Sequence, residues 1–349
     1  MNKIIFTTDF TYHSFENKPT YHNWLWKMIE PLIKGVTSFE TIELRDMEVD
    51  GGKFDREHFF KLSDIQPEFN YFIIDCKLLH QKSIDYLKTF IDENTLIIGF
   101  EIGQSFRNLL TLLNIKYINF WIHSFKLAPD LMFLSFTNIP GIFEILKKYQ
   151  HSQELIKSYG RSIKHSIQTN TWNKIDLLIN PESLLIIGQS SKDQSIVDNG
   201  KFLSLLDYKD KIISEVKKFK YSYYLPHIYD PIINNELKTF LDENNIKIIT
   251  YNVYHLLASI NILKIIAISS SVIYEARIFD KNAEYLFKPL FNIDDNEFDI
   301  NNAISHYKEI FSSAFWSDIF NKVENISQTT GIQFARYNLY DFSYQNNLL

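Results

Sequence analysis

Cysteine and long apolar runs are the first things this sequence lacks. The 349-residue chain contains one cysteine, Cys76, so no disulfide can form within it. Cys76 ends the apolar run YFIIDC, which favours a buried, inert thiol over a nucleophile. No stretch approaches the ~20 apolar residues that span a bilayer, and the opening MNKIIFTTDF resembles a strand rather than a signal peptide. We therefore expect a cytoplasmic protein, and peripheral association with the inner face of the cytoplasmic membrane stays open.

The common ligand-binding signatures are also missing. Glycine is scarce, with 10 residues, and neither the G-x-G-x-x-G dinucleotide fingerprint nor a Walker A sequence occurs. The chain has no H-E-x-x-H, no paired Cys/His pattern and no Asp-x-Asp. We therefore predict that no cofactor and no metal is needed. The formal net charge of -6 argues against a nucleic-acid partner.

What the sequence does have is a regular rhythm of apolar runs and amphipathic segments, present in both halves. Near-continuous β-branched runs separated by helical stretches are typical of parallel sheets covered on both faces. The rhythm predicts an α/β protein of GT-B-like architecture, in which two Rossmann-type, doubly wound domains face each other across a cleft, followed by C-terminal helices. The predicted ranges are 1–165 and 166–300, with a helical segment 301–349 that crosses back to the first domain. The stretch 160–174 lacks apolar periodicity and suits a linker.

Four polar clusters follow predicted strands of the second half. Three of them have an ordinary structural explanation: a solvated turn for the aspartate, a structural histidine, and a helix cap for the serines. In open α/β sheets, however, ligands bind at the carboxyl ends of strands, so convergence of all four at one sheet edge favours a ligand site. The clusters are Gln189, Asp193 and Ser195; His227; Ser269, Ser270, Ser271 and Glu275; and Lys288.

The order of these residues resembles the retaining β-Kdo glycosyltransferases of bacterial capsule and O-antigen (lipopolysaccharide) biosynthesis. Kdo is the eight-carbon acidic sugar 3-deoxy-manno-octulosonic acid. The matching stretches are GQSSKDQSIVDNG, LPHIYDP and SSSVIYEARIFDK, with a weaker echo in GFEIGQSFRNLL and HSFKLAPDLMF. The sequence departs from the family at Ile228, which follows His227 where the family usually has proline.

The resemblance implies a metal-free GT-B transferase that uses CMP-β-Kdo as the donor. Residues 166–300 would bind the CMP-sugar and residues 1–165 the acceptor, an oligosaccharide or a lipid-linked glycan. Partner glycosyltransferase domains within a larger protein also stay open. The implied mechanism is double displacement through a covalent adduct on Asp193. The implied donor contacts are Gln189 and Ser195 on that carboxylate, His227 on phosphate, Ser269–Ser271 on phosphate or cytosine, Glu275 on ribose, and Lys288, preferred over Arg277, on the Kdo carboxylate.

The acceptor side is less specified. Glu101, at the end of TLIIGFE, is the candidate general base, and its alternative is a surface or hinge carboxylate. Asp9, His123 and Asp130 are further candidates in the first half.

Two other functions stay open at this point. An inverting CMP-sialic acid transferase would share the histidine and the serine pair, but its key carboxylate would act as a base from the first domain. A non-catalytic two-domain receptor for an acidic sugar would share the rhythm of strands and helices. The position of Asp193 beside Gln189 and Ser195 favours the retaining mechanism.

Overall fold

A computed structural model describes residues 3–13, 22–47, 51–65, 72–73, 76–169, 175–191, 193–198 and 201–320. Contacts divide the chain into two compact units. Unit 1 comprises 1–123, 129–151 and 291–349, and unit 2 comprises 124–128 and 152–290. These units group residues by contact. The predicted domain ranges, 1–165, 166–300 and 301–349, concern parts that fold independently, and they stay predictions.

Strands occur throughout the described residues. In chain order they are β1 (Lys3–Thr7), β2 (Tyr12–His13), β3 (Glu40–Glu43), β4 (Phe72–Ile73), β5 (Thr95–Phe100), β6 (Lys116–Ile122), β7 (Phe133–Thr137), β8 (Ser183–Ile187), β9 (Val197–Asp198), β10 (Lys201–Phe202), β11 (Tyr221–Leu225), β12 (Ile246–Ile248), β13 (Ile262–Ala267), β14 (Asn282–Tyr285), β15 (Asn292–Ile293) and β16 (Asn302–His306).

Helices connect most of these strands. They are α1 (His22–Val36), α2 (Arg56–Lys61), α3 (Gln81–Lys88), α4 (Gln104–Leu112), α5 (Pro140–Lys148), α6 (Gln153–Thr169), α7 (Ile175–Leu178), α8 (Lys209–Val216), α9 (Asn235–Glu243), α10 (Val253–Ala258), α11 (Val272–Ile278) and α12 (Ser313–Ile319). Within the described ranges, no helix combines the length and apolar composition that a membrane span requires.

Unit 2 is built on a five-stranded sheet in the order β12-β11-β8-β13-β14, and every pairing in it is parallel. Counted along the chain this is the order 3-2-1-4-5 of a Rossmann-type sheet. The strand order reverses between β8 and β13, which are neighbours. That switch point is where such folds bind their ligands.

The sheet of unit 2 is covered on both faces, as its sequence predicts. Successive side chains of a strand point to opposite faces. Leu185 and Ile187 of β8 pack with residues of α10 and α11, whereas Leu184 and Ile186 pack with residues of α8 and α9. All four are 4% exposed or less, which explains why β8 is a continuous apolar run. The prediction of an α/β, doubly wound architecture is confirmed.

Unit 1 contains a seven-stranded sheet in the order β15-β16-β7-β6-β5-β1-β3. Strands β3, β1, β5 and β6 are parallel, and the order reverses between β1 and β5. One face packs against α1, α5 and α12 through residues such as Phe6, Ile98 and Phe120. Strand β7 runs antiparallel to β6 and β16, so this sheet is mixed rather than wholly parallel.

Two secondary-structure predictions are wrong. The chain from Asn301 was predicted as helical, but Asn302–His306 form β16. Helix is present only later, in α12, and residues 321–349 lie outside the described part of the chain. The predicted linker 160–174 is helical as far as Thr169, because α6 buries Ile156 and Gly160 while its other side chains are mostly solvated. Residues 170–174 are not described.

Candidate functional site

Gln189 is the centre of a polar cluster at the switch point of unit 2. It follows β8, and its Oε1 accepts a hydrogen bond from the Ser269 backbone N–H, which follows the neighbouring β13 (3.0 Å). Its Nε2 donates to Asp193 Oδ2 (3.3 Å) and to Ser195 Oγ. One side chain thus joins the loop after β8 to the loop after β13.

Asp193 is held at both carboxylate oxygens. It caps the short 3₁₀ turn Gln194–Ile196, where Oδ1 accepts from the Ser195 backbone N–H (2.8 Å), while Oδ2 faces Gln189 Nε2. The side chain is half-buried, so it combines a fixed direction with access from solvent. Such a carboxylate can act as a nucleophile or as a base.

A glycine allows the histidine to approach this cluster. Gly188 donates its N–H to the Leu225 carbonyl (2.7 Å). A Cβ at this position would lie 2.6 Å from the Tyr224 hydroxyl and 3.0 Å from His227 N, so a larger residue requires the Tyr224 side chain and the backbone after β11 to shift. Close packing of β8 and β11 therefore favours glycine here.

His227 follows β11 and is half-buried beside the cluster. Its Nδ1 accepts from the Tyr229 N–H (3.3 Å), an arrangement that puts the ring proton on Nε2. Burial lowers the pKa of His227, and the negative charges of Asp193 and Asp230 act in the opposite direction. The ring therefore offers an N–H donor suited to an anion.

Asp230 is a site residue that sequence reasoning missed. Its Oδ2 accepts from both the Ser191 backbone N–H (2.9 Å) and the Ser191 Oγ (2.7 Å). Asp230 thus ties the loop that carries Asp193 to the loop that carries His227. The available signal was its place in the turn YDP, three residues after the histidine.

The three serines before α11 differ in their surroundings. Ser269 and Ser270 are 5% and 8% exposed, whereas Ser271 is exposed. Ser269 Oγ donates to the Lys288 carbonyl (2.7 Å), and Ser270 Oγ accepts from the Val272 N–H (3.3 Å). The capping role is thus taken by Ser270.

Glu275 lies one turn into α11 and is 2% exposed. Its Oε1 accepts from the Lys126 backbone N–H (2.9 Å) and from the Tyr254 hydroxyl (3.2 Å). Burial raises the pKa of Glu275 to about 7, against the effect of those hydrogen bonds and of the Lys126 charge. The residues 124–128, which lie between β6 and β7 in the chain, belong to unit 2 and supply this contact.

The two candidate cations are used differently. Arg277 donates from Nε (3.1 Å) and Nη2 (3.0 Å) to the Ala283 carbonyl, and its guanidinium lies 5.3 Å from the centre of the Tyr285 ring. Arg277 therefore stabilises the turn into β14. Lys288 is exposed, and its ammonium lies 4.9 Å from the centre of the Phe287 ring.

Two acidic candidates of the first half follow strands β1 and β5, at the switch point of unit 1. Asp9 is 5% exposed, and it accepts from the Gly103 N–H (2.7 Å) and from the N–H (2.7 Å) and hydroxyl (2.6 Å) of Thr11. Burial raises the pKa of Asp9. Glu101 directly follows β5 with φ of 54°, a left-handed conformation that is uncommon for this residue type.

His123 and Asp130 are buried more deeply. His123 is 0% exposed, and its Nε2 lies 3.0 Å from Ser305 Oγ. Asp130 is 3% exposed and accepts from the Leu131 N–H (2.8 Å). Their acceptor-side role stays a prediction, and these contacts give both residues a structural task in the fold.

No group of three or more His, Cys, Asp or Glu side chains in the described ranges has the arrangement of a metal site. That the protein needs neither a metal nor a cofactor stays a prediction.

Comparison with known proteins finds only distant likeness. No protein-family model and no curated protein matches the chain. Among solved structures, the β-Kdo 2,7-transferase KpsC of Thermosulfurimonas dismutans is 12% identical, with a TM-score of 0.43 over 82% of this chain and 80% of that one. The UDP-GlcNAc 2-epimerase of Methanocaldococcus jannaschii is 13% identical, with a TM-score of 0.26 over 99% of both chains. That of Neisseria meningitidis is 11% identical, with a TM-score of 0.31 over 99% of this chain and 100% of that one. Likeness at this level assigns no activity.

Proposed function

We propose that this chain is a retaining glycosyltransferase that moves β-Kdo from CMP-β-Kdo to a saccharide acceptor in surface polysaccharide assembly. The observation that carries the proposal is the Gln189 cluster, which joins Asp193, Ser195 and Ser269 at the switch point of a Rossmann-type sheet. These are residues of the stretches that resemble β-Kdo transferases. The same edge of the sheet is where the fold rule expects a nucleotide.

The donor nucleotide is proposed to bind at this edge without a metal. The His227 Nε2–H would donate to the phosphate, and the exposed Ser271 hydroxyl would contact phosphate or cytosine. Glu275 would accept from the ribose hydroxyls through Oε2, because Oε1 already accepts two hydrogen bonds. The Ser269 hydroxyl already donates to the Lys288 carbonyl, so its proposed role is to shape the loop. Ser270 Oγ accepts from the Val272 N–H, and its own O–H is proposed to donate to phosphate or cytosine beside Ser271.

Asp193 is the proposed nucleophile. Its carboxylate oxygen would bond to the anomeric carbon as the bond from that carbon to the phosphate oxygen breaks, so that CMP leaves with the electron pair. The acceptor hydroxyl would then attack the same carbon, return Asp193 to its ionised form and transfer its proton to a base. Two inversions give net retention. Glu101, at the switch point of unit 1, is the proposed base.

Fixed hydrogen bonds suit Asp193 to this task. The Gln189 amide and the Ser195 N–H hold the carboxylate in one direction. The sugar carries a carboxylate of its own beside the reacting carbon, so a cation is needed there. Lys288 is preferred over Arg277, because the Arg277 guanidinium is bound to Ala283.

The test is Asp193→Asn, which keeps the oxygen that caps Gln194–Ile196 but removes the attacking charge. We expect turnover, followed as CMP release, to fall by ~10³-fold or more, with CMP affinity within about threefold of wild type. Asp242→Asn, which neutralises an exposed carboxylate on α9 of the same unit, is the matched control and should be fully active. Intact-mass spectrometry of the wild type with donor alone should show one added Kdo. Mass spectrometry of a protease digest should place it on the peptide that contains Asp193.

Three outcomes would contradict this proposal. Near-normal turnover of Asp193→Asn, or an adduct on another carboxylate, would remove Asp193 from the chemistry. A product whose anomeric configuration is opposite to that of the donor would favour an inverting, sialyltransferase-like enzyme. Binding of the sugar nucleotide without any CMP release would favour a receptor. Turnover should persist in excess EDTA.

A further inference from the structure

The carboxylate of Glu275 is held asymmetrically. Its Oε1 accepts from the Lys126 N–H (2.9 Å) and from the Tyr254 hydroxyl (3.2 Å), whereas no described residue donates a hydrogen bond to Oε2. Tyr254 lies on α10, and Lys126 lies in the segment 124–128. Lys126 and Tyr254 therefore fix Oε1, while Oε2 has no hydrogen-bond donor among the described residues.

We propose that Tyr254 is a positioning residue, which holds Glu275 ionised and aimed so that Oε2 receives the nucleotide ribose, and that nucleotide affinity therefore depends on a proton at Glu275. This inference rests on the proposed function and deepens it, because it assigns a residue outside the motifs to the donor site. Tyr254 itself touches neither the phosphate nor the reacting carbon in this assignment.

The physical reason is a balance of opposing effects on one carboxyl group. Burial raises the pKa of Glu275 to about 7, while the Tyr254 hydroxyl, the Lys126 N–H and the Lys126 charge favour the ionised form. Two cations of the neighbouring helices are engaged elsewhere: Arg277 of α11 donates to the Ala283 carbonyl, and Lys164 of α6 donates to the Phe279 carbonyl. Loss of the tyrosine hydroxyl should therefore raise this pKa further.

The experiment compares wild type, Tyr254→Phe and Tyr251→Phe by calorimetric titration with CMP between pH 6 and 8.5. In the wild type, CMP affinity should be constant above pH ~7 and weaken by up to about tenfold per pH unit below it, because a protonated Glu275 accepts poorly from a diol. Tyr254→Phe should move this break upward by about one pH unit. Tyr251→Phe, the same change three residues earlier, should leave it in place. In parallel, ¹³C NMR of labelled glutamate carboxyls in the free protein should show the same displacement of one resonance.

The outcomes separate this inference from the proposed function. A displaced break in Tyr254→Phe, together with the displaced resonance, supports the positioning role. CMP binding whose pH dependence is the same in Tyr254→Phe and wild type overturns that role and leaves the proposed function standing. Absence of CMP binding by the wild type at every pH overturns both. Glu275→Gln should bind CMP weakly and without this pH break, and an unchanged break in that variant would assign it to another group.

Discussion

Replacing Glu275 with glutamine should stabilise unit 2 at alkaline pH while it weakens nucleotide binding. Glutamine has nearly the shape of a protonated glutamate, and its Oε1 can still accept from Lys126 and Tyr254. What the substitution removes is a negative charge in a position that is 2% exposed. A buried charge costs more free energy than a buried neutral amide.

The magnitude follows from the raised pKa of Glu275. Burial moves it from 4.5 to about 7, so the folded state prefers the protonated form. This contribution to stability is fully present below pH 4.5 and is lost as the pH rises through 7. At about 1.4 kcal/mol per pKa unit, ionised Glu275 costs ~3 kcal/mol at pH 8. The glutamine Nε2 gains no partner among the described residues, which subtracts ~1 kcal/mol and leaves a net gain of about 2 kcal/mol.

The assay is urea unfolding at pH 5 and pH 8, with hydrogen exchange of β8 and β13 amides to report on unit 2. We expect Glu275→Gln to match or fall slightly below wild type at pH 5 and to exceed it at pH 8. Glu243→Gln, at an exposed position of α9, should change stability by less than ~0.5 kcal/mol at either pH. Equal or lower stability of Glu275→Gln at pH 8 would refute the reasoning, because the buried carboxylate would then carry no cost.

Three further outcomes are expected. Burial lowers the pKa of His306 from 6.5 to about 4. The wild type should therefore lose ~3 kcal/mol of stability as the pH falls from 6.5 to 4, because the unfolded state takes up the proton first. Urea titrations of His306→Gln should lack this loss. Glu101→Gly removes a Cβ from a left-handed residue, so a thermal melt should show a stability gain of about 0.5–1 kcal/mol. If Glu101 is the base, this variant should release about one equivalent of CMP as the Asp193 adduct forms and then stop, because the second displacement needs the base; unchanged turnover would leave Glu101 a hinge residue. Gly188→Ala places a Cβ 2.6 Å from the Tyr224 hydroxyl and 3.0 Å from His227 N. We expect a stability loss of about 1–3 kcal/mol and at least ~10-fold weaker CMP binding by calorimetry. Wild-type affinity would show that the loops adjust freely.

The parallel strands of both sheets could be predicted from sequence, but β16, near one edge of the unit 1 sheet, could not. Strand β8 is an almost wholly apolar run because both its faces are covered, and β13 is apolar apart from Lys264, which pairs with Glu215 and Glu284. Strand β16 has the sequence NAISH and lies in the segment that was predicted to be helical. Its polar residues are buried because Ser305 pairs with Asp294, 11 residues earlier and outside β16, and His306 pairs with Ser135, 171 residues earlier. The residue types within β16 do not indicate which partners outside the strand will bury them.

The site shows the same division. The positions of Gln189, Asp193 and His227 after neighbouring strands could be predicted, because the carboxyl ends of parallel strands share one edge. The contact of Glu275 with the Lys126 N–H could not be predicted. The donor is a backbone group 149 residues away, and every residue type except proline can supply it. The engagement of Arg277 with Ala283 was equally hidden.

The interleaving of the two units has a consequence for biosynthesis. Unit 2 consists of 124–128 and 152–290, whereas unit 1 also needs residues beyond 290. A ribosome, which makes the chain from its amino end, therefore delivers every residue of unit 2 before β16 can pair with β7. During translation unit 2 can acquire its native structure while the sheet of unit 1 still has an open edge at β7. Nascent chains stalled after residue 290 has left the ribosome, but before β16 has, should thus present unit 2 folded and β7 paired with β6 alone. The open edge of β7 is then exposed to aggregation, so this is the state in which a chaperone is most needed.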